Sequence, residues 1–172
     1  MISQKRIESR DRRRAAVHEA GHLVMMRHLG VLGGSAKILR KPSSATSERL
    51  WVGQTSFLPH ILELSKHMKD DPPKEMMLKD VSPRELMLIG IAGVVAESAW
   101  AETDRDLLPY LFEDPNEMSL TDWAMTGCEP GSPSEQMINF ALEVYRLFER
   151  PLGLLFSDLR IQSRGLIEAV QS

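Results

Sequence analysis

His18 and His22 stand four residues apart with Glu19 beside the first, an H-E-x-x-H pattern within Ala15-Ala16-Val17-His18-Glu19-Ala20-Gly21-His22-Leu23-Val24. On an α-helix that spacing is about one turn, so both imidazoles project from one side and can grip a single metal ion. Glu19 is a neighbour of such a site and not a ligand. Its carboxylate would take a proton from a water activated by the metal and pass it to a leaving amine. Histidine nitrogens favour Zn²⁺, and two histidines plus one further protein ligand leave a position open, the arrangement of a catalytic zinc. Paired helical histidines can instead be core residues satisfied by other partners. Ala15, Met25 and Leu29 share the histidine side, an apolar setting in which two imidazoles are costly unless something engages their nitrogens. Gly21 points the same way, because a glycine inside a helix costs roughly 1 kcal/mol relative to alanine and needs a reason such as close approach by another element.

The element carrying this pattern is expected to be a helix from about Gln4 to Leu29, rich in helix formers, free of proline and stopped at Gly30. Beyond Gly33 and Gly34, the segments Ala36 to Arg40 and Leu50 to Phe57 read as two strands of a hairpin, joined by the polar Pro42 to Arg49 stretch. Trp51, Gly53, Thr55 and Phe57 would share one face. A short helix over Ile61 to Met68 would precede the Asp70 to Pro73 break. Ser82, Pro83 and Glu85 form a capping box ahead of a long apolar run to Trp100, which predicts a helix buried on most sides. A loop is expected from Glu102 to Glu117. Helices should then open at Ser119 and at Ser132, with a last one ending near Ala169 after Pro151 and Gly153.

The chain has 172 residues, 42% hydrophobic and 26% charged, which fits one globular domain large enough to bury a core without disulfides. Its one cysteine, Cys128, leans toward a reducing compartment. With 21 Lys and Arg against 24 Asp and Glu, the net charge of −3 supplies no global field for nucleic acid or an anionic membrane. The basic cluster from Arg10 to Arg14, interrupted by Asp11, reads as a solvated helical face. The longest uncharged apolar stretch, Leu86 to Ala96, is far shorter than the ~20 residues of a membrane span. The ten methionines read as core filling.

Taken in order, these segments resemble the peptidase part of the FtsH-type proteases, the membrane-bound AAA+ zinc metalloproteases. Ala15 to Val24 resembles that family's zinc-binding helix. Lys37-Ile38-Leu39-Arg40 and Gly53-Gln54-Thr55-Ser56-Phe57-Leu58-Pro59 resemble its hairpin, and Glu85-Leu86 through Ala92-Gly93-Val94-Val95-Ala96-Glu97 resembles its second helix, usually written with Gly-Gly-Arg-Ala-Ala-Glu-Glu. The resemblance runs from Arg13 to Thr126. It implies a third zinc ligand, an aspartate from a later helix, and Ser119-Leu120-Thr121-Asp122-Trp123-Ala124 is the matching place, which makes Asp122 the candidate. Thr121 stands where the family has asparagine, the preceding loop is longer, and Gly127 to Pro133 break a helix that the family continues. Asp122 also has third-position spacing from Ser119, so capping is its other reading. Asp104, Asp106, Asp114 and Glu117 are the alternative donors. Glu97 matches a family glutamate and either orients a ligand histidine through its second ring nitrogen or is the first solvated residue after an apolar run. His28, His60 and His67 lack ligand spacing and read as surface or packing residues, with His60 a candidate transition-state stabiliser at the hairpin's end.

The expected molecule is therefore mainly α, a single helical metallopeptidase domain over residues 1–172 with the His-Glu motif on its first long helix and a small β-hairpin. Its expected function is that of a soluble, cytoplasmic zinc metalloendopeptidase acting on unfolded or short polypeptides. Substrate would lie along the hairpin as an added strand. The sequence has no G-x-x-x-x-G-K-[ST] phosphate loop, so the chain would work without ATP or serve a separate ATPase. The family's rings imply a homo-oligomer. Two other readings stay open: an inactive zinc-binding module for partner docking, and a metal-free helical interaction protein bearing the motif by chance.

Overall fold

Six α-helices and one two-stranded antiparallel sheet make up the computed structural model, which describes residues 3–31, 34–42, 49–56 and 81–171. Helix α1 spans Gln4–His28. It ends as its sequence predicts, with Gly30 at a φ of 73°. The Val31 and Gly30 N–H groups turn back to the Met26 and Arg27 carbonyls at 2.8 and 3.1 Å, which satisfies the otherwise orphaned last turn.

The hairpin follows as β1, Ser35–Arg40, and β2, Trp51–Ser56, in a register that sets Ile38 against Gly53 and Ala36 against Thr55. Odd-numbered residues of β2 face α1, as the period of two requires, and Trp51 and Ile38 close a small apolar cluster with Ala15 and Ala16. Phe57, His60, His67 and the helix expected over Ile61 to Met68 lie outside the described residues.

Helix α2, Pro83–Trp100, starts at Ser82, whose hydroxyl accepts the Glu85 N–H at 3.2 Å and donates to the Glu85 carboxylate at 3.0 Å. Every residue from Met87 to Ala96 is buried, because α1, α4 and α5 pack around this helix. The apolar run is thus a core helix. Among the described residues no helix is long and apolar enough to cross a membrane.

The Glu102 to Glu117 segment is more ordered than a loop. A 3₁₀ turn, Arg105–Leu107, leads into the one-turn helix α3, Leu108–Leu111. Buried Leu108 and Phe112 draw this segment onto the core, a tertiary contact that no helical period in so short a stretch could announce. Helix α4, Leu120–Thr126, opens at Ser119 as expected and closes on Gly127 at a φ of 71°. Helix α5, Glu135–Phe148, starts two residues later than the sequence suggests. Ser134, not Ser132, accepts the Met137 N–H, at 3.1 Å, and Glu135 is the first helical residue. Helix α6, Phe156–Ala169, packs back on α1.

Glycine decides how closely α1 and α2 approach. A Cβ at Gly21 would lie 2.6 Å from the Ala92 carbonyl oxygen and 2.7 Å from the Ala96 Cβ, so the two helices touch backbone to backbone there. Gly21→Ala is expected to force them apart at a cost of about 1–3 kcal/mol, read in thermal unfolding as a Tm lower by roughly 3–10 °C. An unchanged Tm would show that the contact yields freely.

Candidate metal centre

Three side chains from two helices, α1 and α4, converge on one point. His18 and His22 come from the middle of α1, and their Nε2 atoms lie 3.1 Å apart. Asp122 comes from the first turn of α4, with one carboxylate oxygen 3.5 Å from His18 Nε2 and the other 3.6 Å from His22 Nε2. All three ligand-type atoms fall within 4.8 Å of one another, and this His18, His22 and Asp122 group could hold a metal ion.

The second ring nitrogens explain why the Nε2 atoms face inward. His18 Nδ1 lies 2.5 Å from Glu97 Oε1 on α2, and His22 Nδ1 lies 2.7 Å from the Ile89 carbonyl oxygen on the same helix. With each Nδ1–H donated to an acceptor, a neutral ring keeps its lone pair on Nε2, and two such nitrogens beside a carboxylate form a pocket suited to a cation, whether a proton or a metal ion. Gly93 makes room for it. A Cβ there would lie 2.5 Å from His18 Nε2 and 2.6 Å from His22 Nε2. The chemistry of the donor set and this cradle both fit a divalent ion.

Electrostatics point the same way. His22 and Asp122 are only 3% and 6% exposed, so their charges must be met inside the protein. Burial opposes charging of His18, yet the bonds to Asp122 and Glu97 outweigh it and raise its pKa from 6.5 to about 10. Burial likewise opposes charging of His22, and Asp122 raises it. Burial pushes the carboxyls of Asp122 and Glu97 up, but the neighbouring imidazoles, with Arg14 beside Glu97, hold both below their usual range. Such a field draws positive charge to the point between the rings.

The Asp122 backbone and side chain do different jobs. Its N–H is capped by the Ser119 hydroxyl at 3.1 Å, as the capping reading expects, while its carboxylate turns to the histidines and stays available to a cation. Helix α4 is anchored by Trp123, which is buried against Phe112 and donates from its indole nitrogen to the Pro115 carbonyl at 3.0 Å. Gly90 on α2 admits this helix, since a Cβ there would lie 2.8 Å from the Asp122 carbonyl oxygen.

Glu19 lies on the hairpin side of α1, beside His18. The Thr55 hydroxyl donates to its Oε2, and Gly53 leaves the space its carboxylate occupies, which a Cβ would overlap. Glu19 therefore lines the cleft of about 730 Å³ that opens over His18, His22 and Asp122 and is walled by β2, by the stretch from Asn116 to Ser119 and by Thr121.

Sequence reasoning missed Thr55, Gly53, Gly93 and the Ile89 carbonyl as parts of this site. A period-two glycine facing the motif helix was the one available signal. Of the alternative donors, Asp104 caps the 3₁₀ turn through the Asp106 N–H, Asp114 takes the Asn116 N–H, and only Glu117 reaches the cleft. His28 is exposed at the end of α1. Glu97 is the orienting partner of His18 and not a solvated residue. Glu97→Ala is expected to weaken metal binding by about 10–100-fold, the usual cost of losing such a partner. Titration against a competing chelator reads this, and unaltered affinity would reduce Glu97 to a packing role.

No family model matches the chain, and the search of curated proteins finds no match either.

Proposed function

We propose that this chain is a zinc-dependent metalloendopeptidase of the FtsH-like type, acting on unfolded or short polypeptides in a reducing, cytoplasmic setting. The observation that carries the reading is the convergence of two inward-facing Nε2 atoms and one carboxylate beside a separately held Glu19. His18, His22 and Asp122 would hold the ion. Two nitrogens and one oxygen suit zinc and leave a coordination position for substrate or water. When bound, zinc polarises a peptide carbonyl and makes water a nucleophile near neutral pH.

The chain's own residues do the rest. With Oε2 of Glu19 engaged by Thr55, Oε1 is the atom that accepts the proton of the attacking water and returns it to the leaving amine nitrogen. The hairpin offers a place for the substrate backbone. Lys41 N–H donates to the Leu50 carbonyl at 2.7 Å, and in the β1–β2 register this turns the backbone of Val52 and Gln54 toward β1 and that of Gly53 away from it. Gly53 lines the cleft. An extended peptide adding there would present its carbonyls next to Glu19.

The test is paired. Natively purified protein is expected to contain about one zinc per chain, and an unfolded protein substrate is expected to be cut in a manner abolished by chelator and restored by Zn²⁺. Stoichiometric zinc with no cleavage of any unfolded chain would favour the docking-module reading. Absence of zinc after supplementation would remove both.

A further inference from the structure

His22, His18, Arg14 and Arg10 follow one another at intervals of four residues. On a helix rising 1.5 Å per residue they form one row, each about 6 Å from the next. The row leads away from the metal centre along α1. Arg10, Arg13 and Arg14 line a second groove of about 700 Å³, and this groove shares Arg14, Arg49 and Glu117 with the metal cleft, so the two adjoin.

Arg14 sits at the junction. Its guanidinium bonds Asp11 Oδ1 at 3.1 and 3.2 Å, reaches the Trp51 carbonyl at 3.4 Å and lies 3.6 Å from Glu97. Asp11 also accepts the Trp51 N–H, at 2.7 Å. Side chains of α1 thus occupy both main-chain groups that Trp51 turns away from β1, as an added strand would. A peptide paired along Gly53 cannot continue on the sheet past Trp51. It must leave the edge there, beside Arg14, which lines both grooves.

The charges in that groove are uneven. Asp11 and Glu97 are already paired with Arg14. Glu117 lines the groove from the other side of the sequence, with burial and the nearby Glu97 raising its pKa. Arg10 and Arg13 are exposed and form no ion pair among the described residues. They remain able to take up an anionic ligand.

We propose that this groove receives an acidic stretch of the substrate, lying about two to four residues from the bond that is cut. The spacing follows from ~3.3 Å per extended residue against about 6 and 12 Å from His18 to Arg14 and Arg10. The inference rests on the peptidase reading above, and it names the substrate class for that site.

The experiment uses the full, zinc-loaded chain and two fluorescent peptides of equal length, one with Asp and Glu at three consecutive positions and one with Asn and Gln there. Anisotropy is expected to give about tenfold tighter binding of the acidic peptide, the size that two exposed ion pairs supply, with the preference fading as salt rises. In Arg10→Glu/Arg13→Glu the preference should vanish or invert, and in Arg10→Gln/Arg13→Gln it should fall partway. Equal binding of both peptides, or a preference that survives in both double variants, overturns the proposal. So does tighter binding of a single-stranded oligonucleotide than of the acidic peptide. Hydrolysis is scored separately: charge-blind cleavage would leave the peptidase standing and sink this groove, whereas charge-selective binding without cleavage of any peptide would keep the groove and sink the peptidase.

Discussion

Glu19→Gln is expected to leave about one zinc bound per chain while peptide hydrolysis falls by roughly 10²–10⁴-fold, the range that loss of a positioned general base covers. The separation of effects follows from the geometry. Glu19 is not among the three converging donors, and it is held from the hairpin through Thr55, so exchanging its oxygen for an amide leaves the metal pocket untouched. The amide keeps the shape of the carboxyl and can still accept the Thr55 hydroxyl, but it cannot take a proton from water. Zinc analysis and initial-rate measurements on the same preparation read the two effects. Hydrolysis within twofold of the parent chain would remove Glu19 from the chemistry, and loss of zinc would show that it helps hold the ion.

Gly93→Ala should do the opposite and disable the pocket itself. The added methyl would lie 2.5 and 2.6 Å from the two inward-facing nitrogens, closer than nonbonded atoms tolerate. Neither ring can retreat without surrendering its partner on α2, Glu97 or the Ile89 carbonyl. Metal affinity is expected to drop by at least about 100-fold, the upper end of what misorienting a ligand costs, with about 1–3 kcal/mol of stability lost to overpacking. Gly165→Ala is the control. Nothing lies within 4 Å of a Cβ at that position in α6, so the same substitution there should stabilise slightly and spare metal binding. If Gly93→Ala bound zinc as tightly as the parent, the cradle would be more pliable than its packing indicates.

Local signals in the sequence locate most of the scaffold. Gly30 ends α1, the Ser82 to Glu85 box opens α2, and the four-residue spacing of His18 and His22 puts both rings on one side. Alternation in β2 placed Trp51, Gly53 and Thr55 on one face, as the structure has them. What stayed illegible depends on distant parts of the chain meeting. Thr55 reaches Glu19 across 36 positions and Glu97 reaches His18 across 79, and neither hydroxyl nor carboxylate carries a local mark of its partner. Asp122 becomes a candidate only through a resemblance, because its spacing from Ser119 speaks only for a helix start. The Ser132 start failed for a plain reason: Ser132, Pro133 and Glu135 imitate the opening of α2, while Ser134 makes the better cap. The arginines of α1 look like ordinary solvated charge until the four-residue row from His22 to Arg10 is set against the groove beside it.

The two histidines are secured by unlike means. The acceptor for His18 is a side chain, so a single codon change can retune or discard it. The acceptor for His22 is the main-chain oxygen of Ile89, which every amino acid at that position would supply. Drift at residue 97 can therefore vary the basicity of one imidazole, while the other imidazole stays anchored by an atom that point mutation cannot delete.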